Sequence, residues 1–155
     1  MKRISKIILI AAALFAIPAQ AQEPSWSDEQ SQVWALVEQS WVDDVAENGK
    51  WPTDYIHDKY VAWGDNESTP RYKDDSIALA RFLDESFDTV IYRISPAAIV
   101  LENDTAVVHY HLALVVENSS GERSNSVSGL VEILVREGRN WKWISSVQFD
   151  PKLND

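Results

Sequence analysis

The chain has 155 residues, a formal net charge of −10 and no cysteine. This length suits one domain with a single hydrophobic core. The acidic balance excludes nucleic acid and anionic membrane surfaces as partners, because like charges repel. The absence of cysteine excludes disulfides and thiolate chemistry.

The first residues have the pattern of a secretory signal peptide. Lys2, Arg3 and Lys6 precede the apolar run IILIAAALFAIPA, and Ala19 and Ala21 frame a small-residue cleavage site. The apolar run is too short to span a bilayer comfortably, and no second run follows it. We therefore expect an exported protein, periplasmic or secreted, with no membrane insertion after cleavage. The predicted order is a signal peptide at 1–21, a short tether at 22–27, one domain at 28–150 and a C-terminal tail at 151–155.

A long helix is predicted at the start of the domain. Ser27 and Gln30 have the spacing of a capping box. From Val33 onward, apolar residues recur every three or four positions, which gives the helix one apolar face. Asn48 and Gly49 form a C-terminal stop.

The middle of the chain predicts a short helix, a brief strand and a second long helix. Thr53 or Asp54 is a suitable cap for the short helix, and the run YVAWG at 60–64 has the composition of a strand. Asp74 or Asp75 is a suitable cap for the second long helix. The polar run between strand and helix predicts a loop.

The second half of the chain changes to a strand pattern, with turn signals between the strands. Helices followed by an antiparallel meander indicate an α+β domain. The predicted strands are 89–101, 105–116, 126–136 and 140–149.

Alternation along the strands predicts which side chains share a face. A hairpin centred in ENSSGERSNS at 117–126 places His111 opposite Glu132 and matches apolar positions across the pair. In this register Tyr110 faces the core, whereas His109 and His111 face away from it. We expect a cross-strand pair of His111 and Glu132 on the outer face.

The same reasoning orients the last strand. A three-residue turn at 137–139 places Trp141 opposite Val135 and Trp143 opposite Ile133. Both indoles then face the core together with Tyr110.

A metal centre is not predicted. His109 and His111 supply two ligands at most, and His57 is distant in sequence, whereas a zinc site needs about three protein ligands in fixed geometry. The sequence has no HExxH motif, no cysteine ligand and no acidic loop of the EF-hand type. We therefore expect no metal and no cofactor.

Acid–base chemistry has one set of candidates. Asp54, His57 and Asp58 form the densest titratable cluster, together with Tyr55 and Tyr60. A carboxylate desolvated by a neighbouring tryptophan has a raised pKa and can act as a base. The alternative interpretation is a solvent-exposed polar helix with its aromatic rings tucked inward.

Several stretches resemble the nuclear transport factor 2-like superfamily, particularly its SnoaL-like members. They are VWALVEQSWVDDVAENG, YVAWGD, ENDTAVVHYHLALVV and REGRNWKWISSVQFD. The resemblance covers about 28–150. It implies a cone in which a curved antiparallel sheet wraps around N-terminal helices and encloses a largely apolar pocket. It also implies a homodimer through the outer sheet face. Proteins of this superfamily include isomerases, dehydratases, cyclases and proteins that only bind ligands.

Together with the alternation of the strands, the resemblance implies which residues face the pocket and which face a second copy. The residues expected at the ligand pocket are Trp34, Trp41, Tyr55, Trp63, Tyr110, Val131, Ile133, Trp141, Trp143 and Ser145. The residues expected at the dimer face are His109, His111, Leu130, Glu132, Leu134 and Ile144.

Three functions are compatible with these patterns. The leading hypothesis is binding of a small apolar or aromatic molecule, because seven tryptophans and five tyrosines are available for a pocket. The alternative is a cofactor-independent acid–base enzyme, an isomerase, cyclase or dehydratase, that uses Asp54, His57 or Asp58. A third hypothesis is a protein-interaction module of the cell envelope.

Overall fold

The computed structural model describes residues 25–151, which form two helices and a curved, unclosed six-stranded sheet. The predicted signal peptide lies outside the described residues. Neither helix in the described part is both long and apolar enough to span a bilayer. The elements are α1 (Asp28–Val45), β1 (Ile56–Trp63), β2 (Arg71–Tyr72), α2 (Lys73–Ser86), β3 (Phe87–Glu102), β4 (Thr105–Asn118), β5 (Arg123–Glu137) and β6 (Asn140–Phe149).

The α+β architecture is confirmed, with one correction to the sheet. Its strand order is β2-β1-β6-β5-β4-β3. Strand β1 runs parallel to β6, whereas all other neighbouring pairs in this sheet are antiparallel. The sheet is therefore mixed and not purely antiparallel, because β1 joins the meander beside its last strand.

Helix α1 begins as its capping box predicts. The Ser27 hydroxyl accepts a hydrogen bond from the backbone N–H of Gln30 at 3.2 Å, and the Gln30 side chain accepts one from the N–H of Ser27 at 2.9 Å. The side chains of Val33 and Val37 are fully buried against the sheet. The Gln30 amide also donates to the carbonyl of Ile99 at 2.7 Å, which fixes α1 to β3.

The predicted short helix at 53–57 is wrong. The backbone N–H groups of Tyr55 and Ile56 both donate to the carbonyl of Pro52, which forms a turn, and β1 begins directly after it. Ile56 and Tyr60 bury their side chains while β1 pairs with β6. Tertiary pairing has overridden the local helix signal.

The predicted cap of α2 is also corrected. The N-cap residue is Tyr72, which makes no capping hydrogen bond through its side chain. Asp74 and Asp75 lie in the first turn, where their charges suit the positive end of the helix dipole.

The register of β4 and β5 differs from the prediction. His111 lies opposite Gly129, not Glu132. The turn is tight because the Asn118 side chain accepts hydrogen bonds from the N–H groups of Ser120 and Glu122. The shift is by an odd number of positions, so every side chain of β5 points to the face opposite the one predicted.

The register of the last strand, β6, also differs from the prediction because its turn is shorter than predicted. Gly138, with φ of 65°, closes a two-residue turn, and Trp143 pairs with Leu134 in place of Ile133. A register shift then follows at Ile144. Both indoles of the strand still face the core, but beyond the shift Ser146 lies on the inner face that was predicted for Ser145.

Aromatic rings form much of the core between α1 and the concave face of the sheet. Trp143 is fully buried, and the rings of Trp51 and Tyr55 meet it edge-on at 5.6 Å between centroids. Trp34 meets Tyr110 in a similar edge contact at 5.8 Å. This packed half leaves the other end of the concave face open to a cavity.

Candidate functional site

A cavity of about 460 Å³ lies between α1, α2 and the concave face of the sheet. Its volume falls in the range of small-molecule sites. Leucine and valine side chains of β4 and β5 cover part of the wall. The aromatic residues of the lining are Trp41, Trp51, Tyr60, Trp63 and Phe87.

Helix α2 forms one wall of the cavity. Leu79, Ala80 and Leu83 line it, yet the helix has no fully buried residue. Phe82, on the same helix, is 60% exposed. This wall is therefore held by few buried contacts, whereas α1 opposite is anchored in the core.

The cavity lining includes one buried carboxyl group. Glu132, which lines the cavity, is only 4% exposed. Its Oε1 accepts a hydrogen bond from the Tyr110 hydroxyl at 3.0 Å, and that hydroxyl accepts one from Trp41 Nε1 at 3.1 Å. The three side chains form a continuous hydrogen-bonded chain from α1 across β4 to β5.

The burial of Glu132 makes its carboxyl group a proton donor and acceptor near neutral pH. Desolvation raises its pKa to about 7, although nearby Trp143 and Tyr110 favour the anion and oppose part of the rise. The second oxygen, Oε2, lies beside the indole N–H of Trp143, and these two buried atoms have no other hydrogen-bond partner among residues 25–151. A buried carboxyl group that lines a cavity and has a raised pKa marks a functional candidate.

Two tyrosine hydroxyls accompany this carboxyl group. Burial, with the charge of Glu132, raises the pKa of Tyr60 to about 12 and that of Tyr110 well above its ordinary value. Both phenols therefore stay protonated at neutral pH and act as hydrogen-bond donors.

Three further carboxylates belong to the lining, at Asp44, Glu47 and Asp84. Burial, with the charges of Asp84 and Glu47, raises the pKa of Asp44 to about 6. The last turn of α1 carries Asp44 and the last turn of α2 carries Asp84, so two helix C-termini bring acidic groups to one cavity.

The lining contains one basic side chain. Arg71 forms an ion pair with Glu67 through one guanidinium nitrogen, while its Nε has no partner among the described residues. The hydroxyl of Ser76, also in the lining, is likewise without one.

The residues predicted for acid–base chemistry are not part of the cavity lining. Asp54 and Asp58 are exposed, and Asp58 pairs with Lys73 at 2.6 Å. The His57 Nδ1 accepts a hydrogen bond from the backbone N–H of Lys59 at 3.0 Å. No set of three His, Asp or Glu side chains between residues 25 and 151 is arranged to hold a metal ion.

The ten residues predicted for the pocket are divided between three places. Trp41 and Trp63 line the cavity. Five of the ten belong to the packed half of the core, namely Trp34, Tyr55, Tyr110, Trp141 and Trp143. Val131, Ile133 and Ser145 lie on the outer face, contrary to the prediction, because the β4–β5 register and the shift at Ile144 reverse their orientation.

The residues predicted for the outer face are corrected by the same shift. Leu130, Glu132 and Leu134 are buried on the inner face, whereas His109 and His111 lie on the outer face as predicted. Sequence reasoning therefore assigned Glu132 to the wrong side. A single glutamate in the apolar run LVEILV was the available signal, since an isolated acid between buried positions is unusual.

Comparisons with known proteins bear on the fold. No family model matches the chain, and no curated protein matches it. A nuclear transport factor 2-like protein from Cytophaga hutchinsonii superposes with a TM-score of 0.70 at 13% identity, over 81% of this chain and 100% of its own. A ketosteroid isomerase-like protein from Erwinia carotovora atroseptica superposes with a TM-score of 0.70 at 12% identity, over 83% of this chain and 100% of its own. A nuclear transport factor 2-like superfamily protein from Salmonella enterica serovar Typhimurium superposes with a TM-score of 0.67 at 8% identity, over 81% of this chain and 93% of its own.

Proposed function

We propose that this chain, which has the nuclear transport factor 2-like fold predicted from its sequence, binds a small and largely apolar molecule in the cavity beside Glu132. One observation carries the proposal. A cavity of about 460 Å³ is lined by five aromatic residues and by the buried carboxyl group of Glu132.

The lining indicates what such a molecule resembles. Aromatic and aliphatic side chains favour a flat or branched apolar body, since burial of apolar surface contributes about 25 cal/mol per Å². Ser76 and Arg71 each hold a buried polar atom without a partner among residues 25–151, so a small rearrangement would let a polar group of the ligand satisfy one of them.

A thermal-shift screen of apolar and aromatic metabolites tests the proposal, because a ligand that binds only the folded state raises the melting temperature. Trp63 is 48% exposed and lines the cavity, so Trp63→Ala should reduce the shift without loss of the fold. The matched control is Tyr72→Ala, which removes an aromatic ring that is 63% exposed outside the lining. Equal loss in both variants, or no shift with any compound, would contradict the proposal.

Cofactor-independent acid–base catalysis is the second candidate function. It is favoured by the position of Glu132, which lies in a cavity beside the phenols of Tyr110 and Tyr60. A carboxylate with a pKa of about 7 can remove a proton from carbon next to a carbonyl, and a phenol can donate a hydrogen bond to the developing oxyanion. Glu132 takes the role that Asp54, His57 and Asp58 were predicted to fill.

Hydrogen exchange in D₂O distinguishes a catalyst from a binder. A carbonyl compound that binds in the screen should lose its α-hydrogen NMR signals with the native protein about 100-fold or more faster than with Glu132→Gln. Asp58→Asn, which alters an exposed carboxylate, should leave the exchange rate unchanged. If Glu132→Gln exchanges as fast as the native protein, the acid–base function is wrong and the binding function stands.

Export and self-association complete the proposed function. The leader sequence supports a periplasmic or secreted protein. The outer sheet face supports a homodimer, because it presents a large apolar surface to solvent. The exposed apolar residues of this face include Val100, Val127, Val147 and Phe149, with His109, His111, Val131 and Ile133 beside them.

A further inference from the structure

The charges around the cavity are strongly one-sided. Four carboxyl groups line it, against one guanidinium that already has Glu67 as its counterion. The four acidic residues of the lining are Asp44, Glu47, Asp84 and Glu132. Any charged ligand in this cavity therefore meets a negative potential.

The helices add to this potential. The C-terminus of a helix carries a partial negative charge, which acidic side chains in the last turn reinforce instead of offsetting. Asp44 occupies the last turn of α1 and Asp84 that of α2, and neither of these last turns contains a basic residue. Two negative helix ends and their acidic side chains thus converge on one cavity.

The acidic groups of the lining lack counterions among the described residues. Within residues 25–151, no lysine or arginine forms an ion pair with Asp44, Glu47 or Asp84. Asp44 is also destabilised as an anion by its two acidic neighbours. The chain tolerates this repulsion at the cavity, although elsewhere its acidic residues Asp58 and Glu117 are paired.

The aromatic lining of the same cavity also suits a cation. The indole rings of Trp41, Trp51 and Trp63 line it together with the acidic residues. The face of an indole ring carries a negative potential, which attracts a cation.

We propose that the molecule bound in this cavity is a small organic cation, an ammonium group attached to an apolar body. This inference rests on the proposed function and narrows its ligand class. The ammonium group supplies the missing counterion and hydrogen-bond donors, and the rings of Trp41, Trp51 and Trp63 add cation–π attraction. An anionic ligand would have only Arg71, which is already paired.

A matched series of three compounds tests the charge preference. Phenethylamine, 2-phenylethanol and phenylacetate share one ring and one chain length and differ in the charge of the terminal group. Calorimetric titration at pH 7.5 should give an affinity for the amine about tenfold or more above that for the alcohol, and weakest binding for the acid.

Variants assign the preference to the cavity. The double variant Asp44→Asn with Asp84→Asn should lower the affinity for phenethylamine about tenfold and leave that for 2-phenylethanol unchanged. It should also raise the melting temperature, because repulsion between the two helix ends is removed. The control is Asp65→Asn with Asp88→Asn, which removes two exposed charges outside the lining and should change amine affinity less than twofold.

The outcomes separate this inference from the proposed function. If 2-phenylethanol or phenylacetate binds as tightly as the amine, and Trp63→Ala weakens that binding, the cavity binds small molecules but the preference for cations is wrong. If both double variants weaken amine binding equally, the preference reflects overall charge and the inference is also wrong. If none of the three compounds binds and the screen yields only neutral or anionic ligands, the inference is wrong and the proposed function stands. If the screen yields no ligand at all, both fail.

Discussion

The hydroxyl of Tyr110 donates a hydrogen bond of 3.0 Å to Oε1 of Glu132, and both side chains are almost completely buried. This pair joins the packed core to the cavity, because Tyr110 also packs against Trp34 while Glu132 lines the cavity. The stability of the fold and the chemistry of the site therefore depend on the same contact, which allows each to be tested by substitution.

The first prediction concerns the pH dependence of stability. The pKa of Glu132 is about 7 in the folded protein and 4.5 in an unfolded chain, so the folded state holds its proton more tightly. Below pH 4.5 the carboxyl is protonated in both states, and as pH rises to about 7 the folded state loses about 3 kcal/mol of stability. Glu132→Gln should remove this loss and keep the acceptor for Tyr110.

Urea denaturation of both proteins at pH 5 and pH 8 measures this effect. The advantage of Glu132→Gln over the native protein should grow by about 2.5 kcal/mol between the two pH values, while contributions from other groups cancel. An advantage that is the same at both pH values would show that Glu132 ionises as an ordinary exposed carboxyl.

The second prediction concerns the hydroxyl of Tyr110. Tyr110→Phe removes the donor to Glu132 and the acceptor for Trp41 Nε1, so buried polar groups lose their partners. The free energy of unfolding should fall by about 1–3 kcal/mol. Tyr92→Phe is the control, since the Tyr92 hydroxyl makes no hydrogen bond within the described residues and its ring still stacks on Trp41. Equal losses in the two variants would contradict a specific role of the Tyr110 hydroxyl.

Local signals in the sequence predicted the elements well where they act alone. The capping box at Ser27, the long apolar face of α1 and the β6 strand at 140–149 are all confirmed. The strand from Ile56 was missed at its start, because its parallel pairing with β6 involves residues far away in the sequence.

The site was harder to predict because it depends on register. Alternation is satisfied equally well by two registers of β4 and β5 when both faces of β5 are largely apolar, as they are from Leu130 to Val135. The deciding contacts are the hydrogen bonds of the Asn118 side chain in the turn. A slip of odd length then moved Glu132 from the predicted outer face to the cavity.

The third prediction tests this register. Leu134 is fully buried, whereas the side chain of Ile133 points to the outer face. Leu134→Ala should lower the free energy of unfolding by about 2–5 kcal/mol, the range for a large residue removed from a core. Ile133→Ala should cost clearly less. Denaturation of both variants gives the comparison, and a larger loss for Ile133→Ala would restore the register predicted from the sequence.

The fourth prediction concerns the outer sheet face. Val147 is 42% exposed there, and Val147→Asp places a charge within the proposed dimer interface. Light scattering coupled to size exclusion should show a dimer for the native protein and a monomer for this variant. Phe82→Asp, on α2 and outside the sheet, should stay dimeric although its ring is 60% exposed. A native monomer would contradict the proposed dimer, and dissociation by Phe82→Asp alone would place the interface elsewhere.

The cavity as a binding site is tested most directly by filling it. Ala80 lines the cavity from α2, whereas Ala78 is exposed on the same helix. Calorimetric titration of the tightest compound from the screen should give one site per chain in the native protein and in Ala78→Trp, and at least a tenfold weaker affinity in Ala80→Trp. Affinity that is unchanged in Ala80→Trp would show that the molecule binds outside this cavity and would contradict the proposed function.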